Sequence, residues 1–184
     1  IDPASMKILD LRPADIAAAW ARGDIDAAWF WEPNLDKAVK RGGNIFMTSG
    51  IMEKRGYPTW DVGVVMNDFA EKYPEYVNKF VKAECDGIDY WIKNPEKTAK
   101  IIAEELSLSL DDATRMMKGT EMVPCDKQLT AQYMGTTGNI GGFADTLVKT
   151  SKFLVSEKRL PVQLTRKSYE RFLDPSYLEN VVDQ

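Results

Sequence analysis

The sequence predicts an α/β fold in which a βαβαβ segment is followed by one more strand and a mostly helical carboxyl-terminal region. Three observations predict it. Short apolar runs alternate with helical apolar periodicity as far as residue 48. A β-branched run follows at residues 59–66, and from Pro74 onward the apolar spacing is that of amphipathic helices. Alternation of strands and helices favours parallel pairing through right-handed crossovers.

Composition narrows the functional classes. The 184 residues carry a net charge of −4 and no histidine. The lack of histidine excludes Ser-His-Asp and Cys-His arrangements and histidine-based zinc sites. No basic block is interleaved with aromatic residues, so we expect no nucleic-acid partner. No spacing implies a metal or organic cofactor, and the sequence leaves open whether Cys85 and Cys125 pair.

The first five residues, IDPAS, are typical of an expression-tag remnant, with Met6 as the encoded start. No basic segment followed by an apolar segment comes after Met6, so we expect no export signal in this chain. If it is the whole gene product, that predicts a cytoplasmic protein.

The first elements follow one another through very short loops. They are predicted as a strand Lys7–Leu11, a helix Pro13–Arg22 ending at Gly23, a strand Ala27–Trp31, a helix Pro33–Arg41 and a strand Asn44–Thr48.

Trp31 and Glu32 lie at the carboxyl end of the second predicted strand. Ligands of open α/β sheets bind at that edge, so an aromatic ring and a carboxylate there are candidates to contact a small, partly cationic ligand. In the alternative interpretation, Trp29 and Trp31 both belong to the core and Glu32 only favours the amino terminus of the next helix.

A polar loop, Ser49–Pro58, precedes the predicted strand Thr59–Met66, near whose start Asp61 stands. A carboxylate in an otherwise apolar strand must be paired, solvated or used for binding. An exposed strand start is the structural alternative. Asn67 is the expected cap of a short helix that follows.

Beyond that helix, only helices and turns are predicted. The helices are Pro74–Lys93, one opened by Asn94-Pro95, Leu110–Lys118 closed by Gly119, Asp126–Met134, Phe143–Glu157 and Pro175–Val182, with a glycine-rich turn at Gly135–Gly142.

Four segments resemble the taurine and aliphatic-sulfonate branch of ABC-transporter substrate-binding proteins. They are PADIAAAWARGDIDAA (13–28), WEP (31–33), PTWDVGVV (58–65) and DFAEKYPE (68–75). The resemblance implies a type II periplasmic binding protein, with two α/β lobes that close on a ligand. It covers only the carboxyl-terminal part of such a protein. Residues 6–58 are then a partial second lobe, and residues 59–184 a crossing strand with the helical part of the first lobe.

The resemblance also implies site residues. Asp61 matches the acidic position that pairs with the ammonium of taurine, and Trp31 with Glu32 matches a motif at the cleft edge. Trp60 and Met122 are further candidates to line the cleft. A carboxylate beside an aromatic ring suits a primary amine through a charge-assisted hydrogen bond and cation–π attraction.

The implied function is non-enzymatic capture of taurine or a related small sulfonate or anion for an ABC permease, in the periplasm. The alternative is a truncated relic that acts as an oligomeric interaction protein without transport. Open strand edges and exposed helix faces would favour a homo-oligomer, or pairing with the missing amino-terminal half. Related enzymes of the pyrimidine-precursor type rely on histidine, so we expect no enzyme.

Overall fold

The computed structural model describes residues 5–182 and is rich in helices, with one small sheet. In chain order its elements are α1 (Pro13–Arg22), α2 (Asn34–Val39), α3 (Ser49–Lys54), α4 (Asn67–Lys72), α5 (Pro74–Lys93), α6 (Pro95–Glu105), α7 (Leu110–Lys118), α8 (Cys125–Gln128), β1 (Gly135–Thr136), β2 (Asn139–Ile140), α9 (Phe143–Ser156), α10 (Arg166–Glu170) and α11 (Ser176–Val182).

The described residues fall into two compact units. Unit 1 contains those within 1–48 and 99–120, and unit 2 those within 49–98 and 121–184. The predicted boundary between residues 58 and 59 stays a prediction. The tag assignment lies outside the described residues, apart from Ser5.

The predicted bounds of α1, α5 and α7 are confirmed, because the ends of these helices are encoded locally. α1 and α5 each begin with a proline, whose fixed φ suits the first helical turn. Gly23 ends α1 in the left-handed region at φ +76°. Ser109 opens α7, where its side chain accepts a hydrogen bond from the backbone N–H of Asp112 at 3.1 Å.

The four long strands predicted before residue 67 are wrong. Residues 7–11, 27–31, 44–48 and 59–66 form no β-ladder, and the only ladder within residues 5–182 joins β1 to β2. A strand exists only through hydrogen bonds to a neighbouring strand, and apolar patterning does not supply that neighbour. The consequence is exposure: Val64 is 92% exposed, and Ile8 and Phe46 are also exposed.

Three smaller corrections concern shorter elements. Residues 49–54 of the predicted polar loop form helix α3, and the helix predicted at 126–134 shortens to α8 followed by turns. Asn67 is the first residue of α4 rather than its cap, because Met66 occupies the cap position.

The core of unit 1 is built mostly from alanines and methionines, together with Phe30. α1 packs on α2, with Ala19 and Ala38 buried. Met116 and Met117 of α7 are also buried. Small side chains let helices approach closely, and methionine fills the irregular gaps that remain.

Unit 2 is organised around α5, which packs on α4 and α11. Val77 of α5 and Leu178 of α11 are buried, as is Ala144 at the start of α9. None of the helices within residues 5–182 combines the length and the apolar character needed to cross a membrane.

The glycine-rich turn forms the antiparallel hairpin β1–β2, with Gly135 opposite Ile140. Gly135 has φ +77°, and a Cβ there would overlap the backbone of Asn139 and Gly141. Glu179 of α11 holds the turn, since its carboxylate accepts hydrogen bonds from the backbone N–H of Thr137 at 2.9 Å and from its hydroxyl at 2.6 Å. These bonds lower the pKa of Glu179.

Candidate functional site

Two predicted site residues, Trp31 and Glu32, belong to unit 1. The Trp31 side chain is 65% exposed. The Glu32 side chain accepts a hydrogen bond from the backbone N–H of Asp36 at 2.9 Å, in the first turn of α2. Glu32 therefore satisfies one of the otherwise unpaired donors at a helix start, which is the structural role that the sequence offered as the alternative.

A charged cluster, Asp36, Lys40, Asp112 and Arg115, joins α2 to α7 within unit 1. Asp36 is only 6% exposed, and it pairs with Lys40 at 2.9 Å and with Arg115. Asp112 pairs with the same two cations, each at 2.7 Å. Hydrogen bonds from Lys40 and Arg115 hold the pKa of Asp112 well below its usual range. Each charge in the cluster is thus opposed by two of the other sign.

The sequence interpretation missed this cluster. The sequence does contain the two spacings Asp36 to Lys40 and Asp112 to Arg115, which place each pair of opposite charges on one helix face. Nothing in the sequence predicts that α2 and α7 bring the two pairs together.

The other three predicted site residues, Trp60, Asp61 and Met122, belong to unit 2. The ring of Trp60 packs against Phe143 at 4.8 Å and Tyr133 at 5.8 Å between centroids. Such aromatic pairs fix the orientation of the indole. The neighbouring Asp61 is exposed, and no hydrogen bond or ion pair joins its carboxylate to another residue of the 5–182 region. Its charge is therefore available to a ligand.

An open groove of about 580 Å³ lies in unit 2. Its walls are formed by Ile92 of α5 and by a run of residues around α8, namely Glu121, Met122, Val123, Pro124, Lys127, Thr130, Gln132 and Tyr133. The structure thus places the predicted residue Met122 in a groove that also includes Tyr133, which Trp60 contacts. Burial raises the pKa of Tyr133, and the charge of Glu121 raises it further.

A disulfide between Cys85 of α5 and Cys125 of α8 ties these elements together. The two Cα atoms lie 5.7 Å apart, across 40 residues of chain. The side-chain amide of Gln128 also donates a hydrogen bond to the backbone carbonyl of Val123 at 2.8 Å. The sequence left the pairing of the cysteines open, because spacing alone does not determine connectivity.

Among the residues that the structure describes, no three acidic or cysteine side chains are grouped so that they could hold a metal ion.

Comparison with known proteins assigns the family. The profile of the NMT1-like family matches residues 1–107, more than half of the chain. The chain belongs to the NMT1-like family. The resemblance to sulfonate-binding proteins, based on the four segments quoted above, is confirmed by two relatives.

The taurine-binding periplasmic protein of Escherichia coli (strain K12) is 32% identical over 187 residues, which cover 97% of this chain and 55% of that protein. A protein of Bacillus subtilis (strain 168) named for binding aliphatic sulfonates is 24% identical over 114 residues, or 62% of this chain and 34% of that protein. The chain thus spans about half the length, or less, of these relatives. No solved structure matches it significantly.

Proposed function

We propose that this chain is the solute-binding part of an ABC importer and binds taurine or a related small amino-sulfonate. The observation that carries the proposal is the similarity to a taurine-binding protein along 97% of the chain. In this proposal the protein has the two-lobed type II architecture, works in the periplasm and delivers its ligand to a membrane permease without chemical change.

The disulfide supports the proposed location. Disulfides persist in oxidising compartments such as the bacterial periplasm and are rare in the cytosol. Cys85 and Cys125 are the only cysteines of the sequence, and both take part in the bond.

Asp61 is the proposed partner of the ligand's ammonium group. Its exposed carboxylate has no partner among residues 5–182, and it follows Trp60, whose ring is held by Tyr133 and Phe143. A carboxylate gives the ammonium a charge-assisted hydrogen bond, and an indole face adds cation–π attraction. Trp31 stays a predicted contact that rests on the family resemblance.

The test is calorimetric titration of taurine into the wild-type chain and into Asp61→Asn. Loss of a charged hydrogen bond costs about 1.5–3 kcal/mol, so we expect binding to weaken roughly 10- to 100-fold. Asp68→Asn removes another exposed carboxylate of unit 2 and serves as the matched control. Ethanesulfonate, nitrate and bicarbonate test whether the amine is required. A folded wild-type chain that gives no heat with taurine would refute the proposal.

A second candidate function is that of an oligomeric interaction protein. The observation that favours it is the exposed apolar stretch Val62, Val64, Val65 and Met66, whose backbone belongs to no ladder. An unpaired extended segment with apolar side chains invites strand addition from another chain. Sedimentation separates the candidates: a wild-type chain that sediments as a monomer would remove this one, and association that persists in the Val64→Lys and Met66→Lys variants would place the contact elsewhere on the chain.

A further inference from the structure

Glu121 and Lys127 give the unit 2 groove two opposite charges that do not neutralise each other. Both line the groove, yet neither side chain has a hydrogen-bond or ion-pair partner within residues 5–182. Some oppositely charged neighbours in unit 2 do pair, such as Lys82 with Asp86 at 2.8 Å. The groove therefore has one anionic and one cationic group left for a ligand.

The disulfide fixes the two walls of the groove relative to each other. Cys85 and Ile92 lie seven residues, or about two turns, apart and so on one face of α5. The disulfide fixes Cys125 to that face, and residues 121–124 immediately precede it. Such preorganisation reduces the cost of ordering the site when a ligand binds.

The size and lining suit a small organic molecule. A volume of about 580 Å³ lies within the roughly 300–1,000 Å³ typical of small-molecule sites. Met122 adds apolar surface for an aliphatic chain, and the amide of Gln132 and the phenol of Tyr133 add neutral hydrogen-bonding groups.

We propose that this groove selects zwitterions over simple anions, with Lys127 pairing the anionic end of the ligand and Glu121 its ammonium. A simple anion in the groove meets the repulsion of Glu121 without compensation, whereas a zwitterion supplies the opposing cation itself. The inference rests on the proposed function, to which it adds a partner for the anion and, in addition to Asp61, a second carboxylate for the ammonium.

The experiment measures dissociation constants for taurine and ethanesulfonate, which share the sulfonate but differ in the amine. Lys127→Gln is expected to weaken both ligands roughly 10- to 100-fold. Glu121→Gln is expected to reduce the preference for taurine over ethanesulfonate by about tenfold, because the repulsion of the simple anion is removed. Lys152→Gln and Glu157→Gln remove exposed charges elsewhere in unit 2 and are the matched controls.

The outcomes separate this inference from the proposed function. If the wild type binds taurine and Asp61→Asn weakens it, while both groove variants behave as wild type, the inference fails and the proposed function stands. If the wild type does not bind taurine, both fail. Weaker binding of both ligands by Lys127→Gln, combined with a reduced preference of Glu121→Gln for taurine over ethanesulfonate, supports the inference. Circular dichroism of each variant verifies that it is folded.

Discussion

The charged cluster of unit 1 and the groove of unit 2 both contain carboxylates and cationic side chains, but only in the cluster do these charges pair. In the cluster, Asp36 and Asp112 each contact the same two cations, so the charges satisfy one another. In the groove, Glu121 and Lys127 line one surface without pairing. Charges that form ion pairs with each other join helices, and charges that form no ion pair remain available to a ligand.

Of the changes that test this comparison, removal of the disulfide should lower stability most, because the disulfide ties the groove wall to α5. A link across 40 residues is expected to contribute about 2–4 kcal/mol. We expect Cys85→Ser with Cys125→Ser to lower the free energy of unfolding of unit 2 by that amount. Hydrogen exchange should show faster exchange around α5 and α8 and unchanged protection of α2. The same change in both units would contradict the assignment of this tie to unit 2.

Asp36→Ala should weaken the cluster itself. The buried carboxylate accepts from Lys40 and Arg115, so its loss is expected to destabilise unit 1 by about 1–3 kcal/mol. Chemical denaturation measures the change. Asp15→Ala, which breaks the exposed pair with Arg12, is the control and should change little. A taurine affinity equal to that of the wild type would support the view that the cluster is structural.

Glu32→Ala tests the structural against the ligand-binding interpretation of a predicted site residue. Loss of the hydrogen bond to the Asp36 N–H is expected to cost about 1 kcal/mol, as for other helix-start acceptors. Glu32→Gln keeps an acceptor and should restore most of the stability. Thermal unfolding measures both. Weaker taurine binding by Glu32→Gln at unchanged stability would show that the carboxylate serves the ligand instead.

The pH dependence of the cluster should be the smallest effect, because Asp36 still pairs with Lys40 and Arg115 when Asp112 is protonated. Lys40 and Arg115 lower the pKa of Asp112 below its ordinary value of 3.8. The unfolded chain then binds protons more readily than the folded one, so the stabilisation is present above pH 4 and is lost as the pH falls below it. Denaturation between pH 7 and pH 2 should show a smaller acid loss in Asp112→Asn than in the Asp111→Asn control.

Helices were predictable from the sequence where their signals are local, and strands were not. A proline at the start and Gly23 at the end define α1 within ten residues of chain. The segment 59–66 has strand-like composition, but no described residue forms a β-ladder with it. Composition carries no information on which strand would pair with it.

The same limit applies to the site. Trp60 and Met122 were named from the family resemblance, and both lie near Tyr133 in unit 2. The Asp36–Arg115 pair spans 79 residues and the disulfide 40, so both depend on tertiary packing. Neither could be deduced from spacing.

The backbone geometry of the hairpin β1–β2 limits which substitutions this part of the chain can accept during evolution. A Cβ at Gly135 or Gly141 would collide with backbone atoms, whereas one at Gly138 would meet nothing within 4 Å. We therefore expect homologous proteins to vary at residue 138 and to keep glycine at positions 135 and 141.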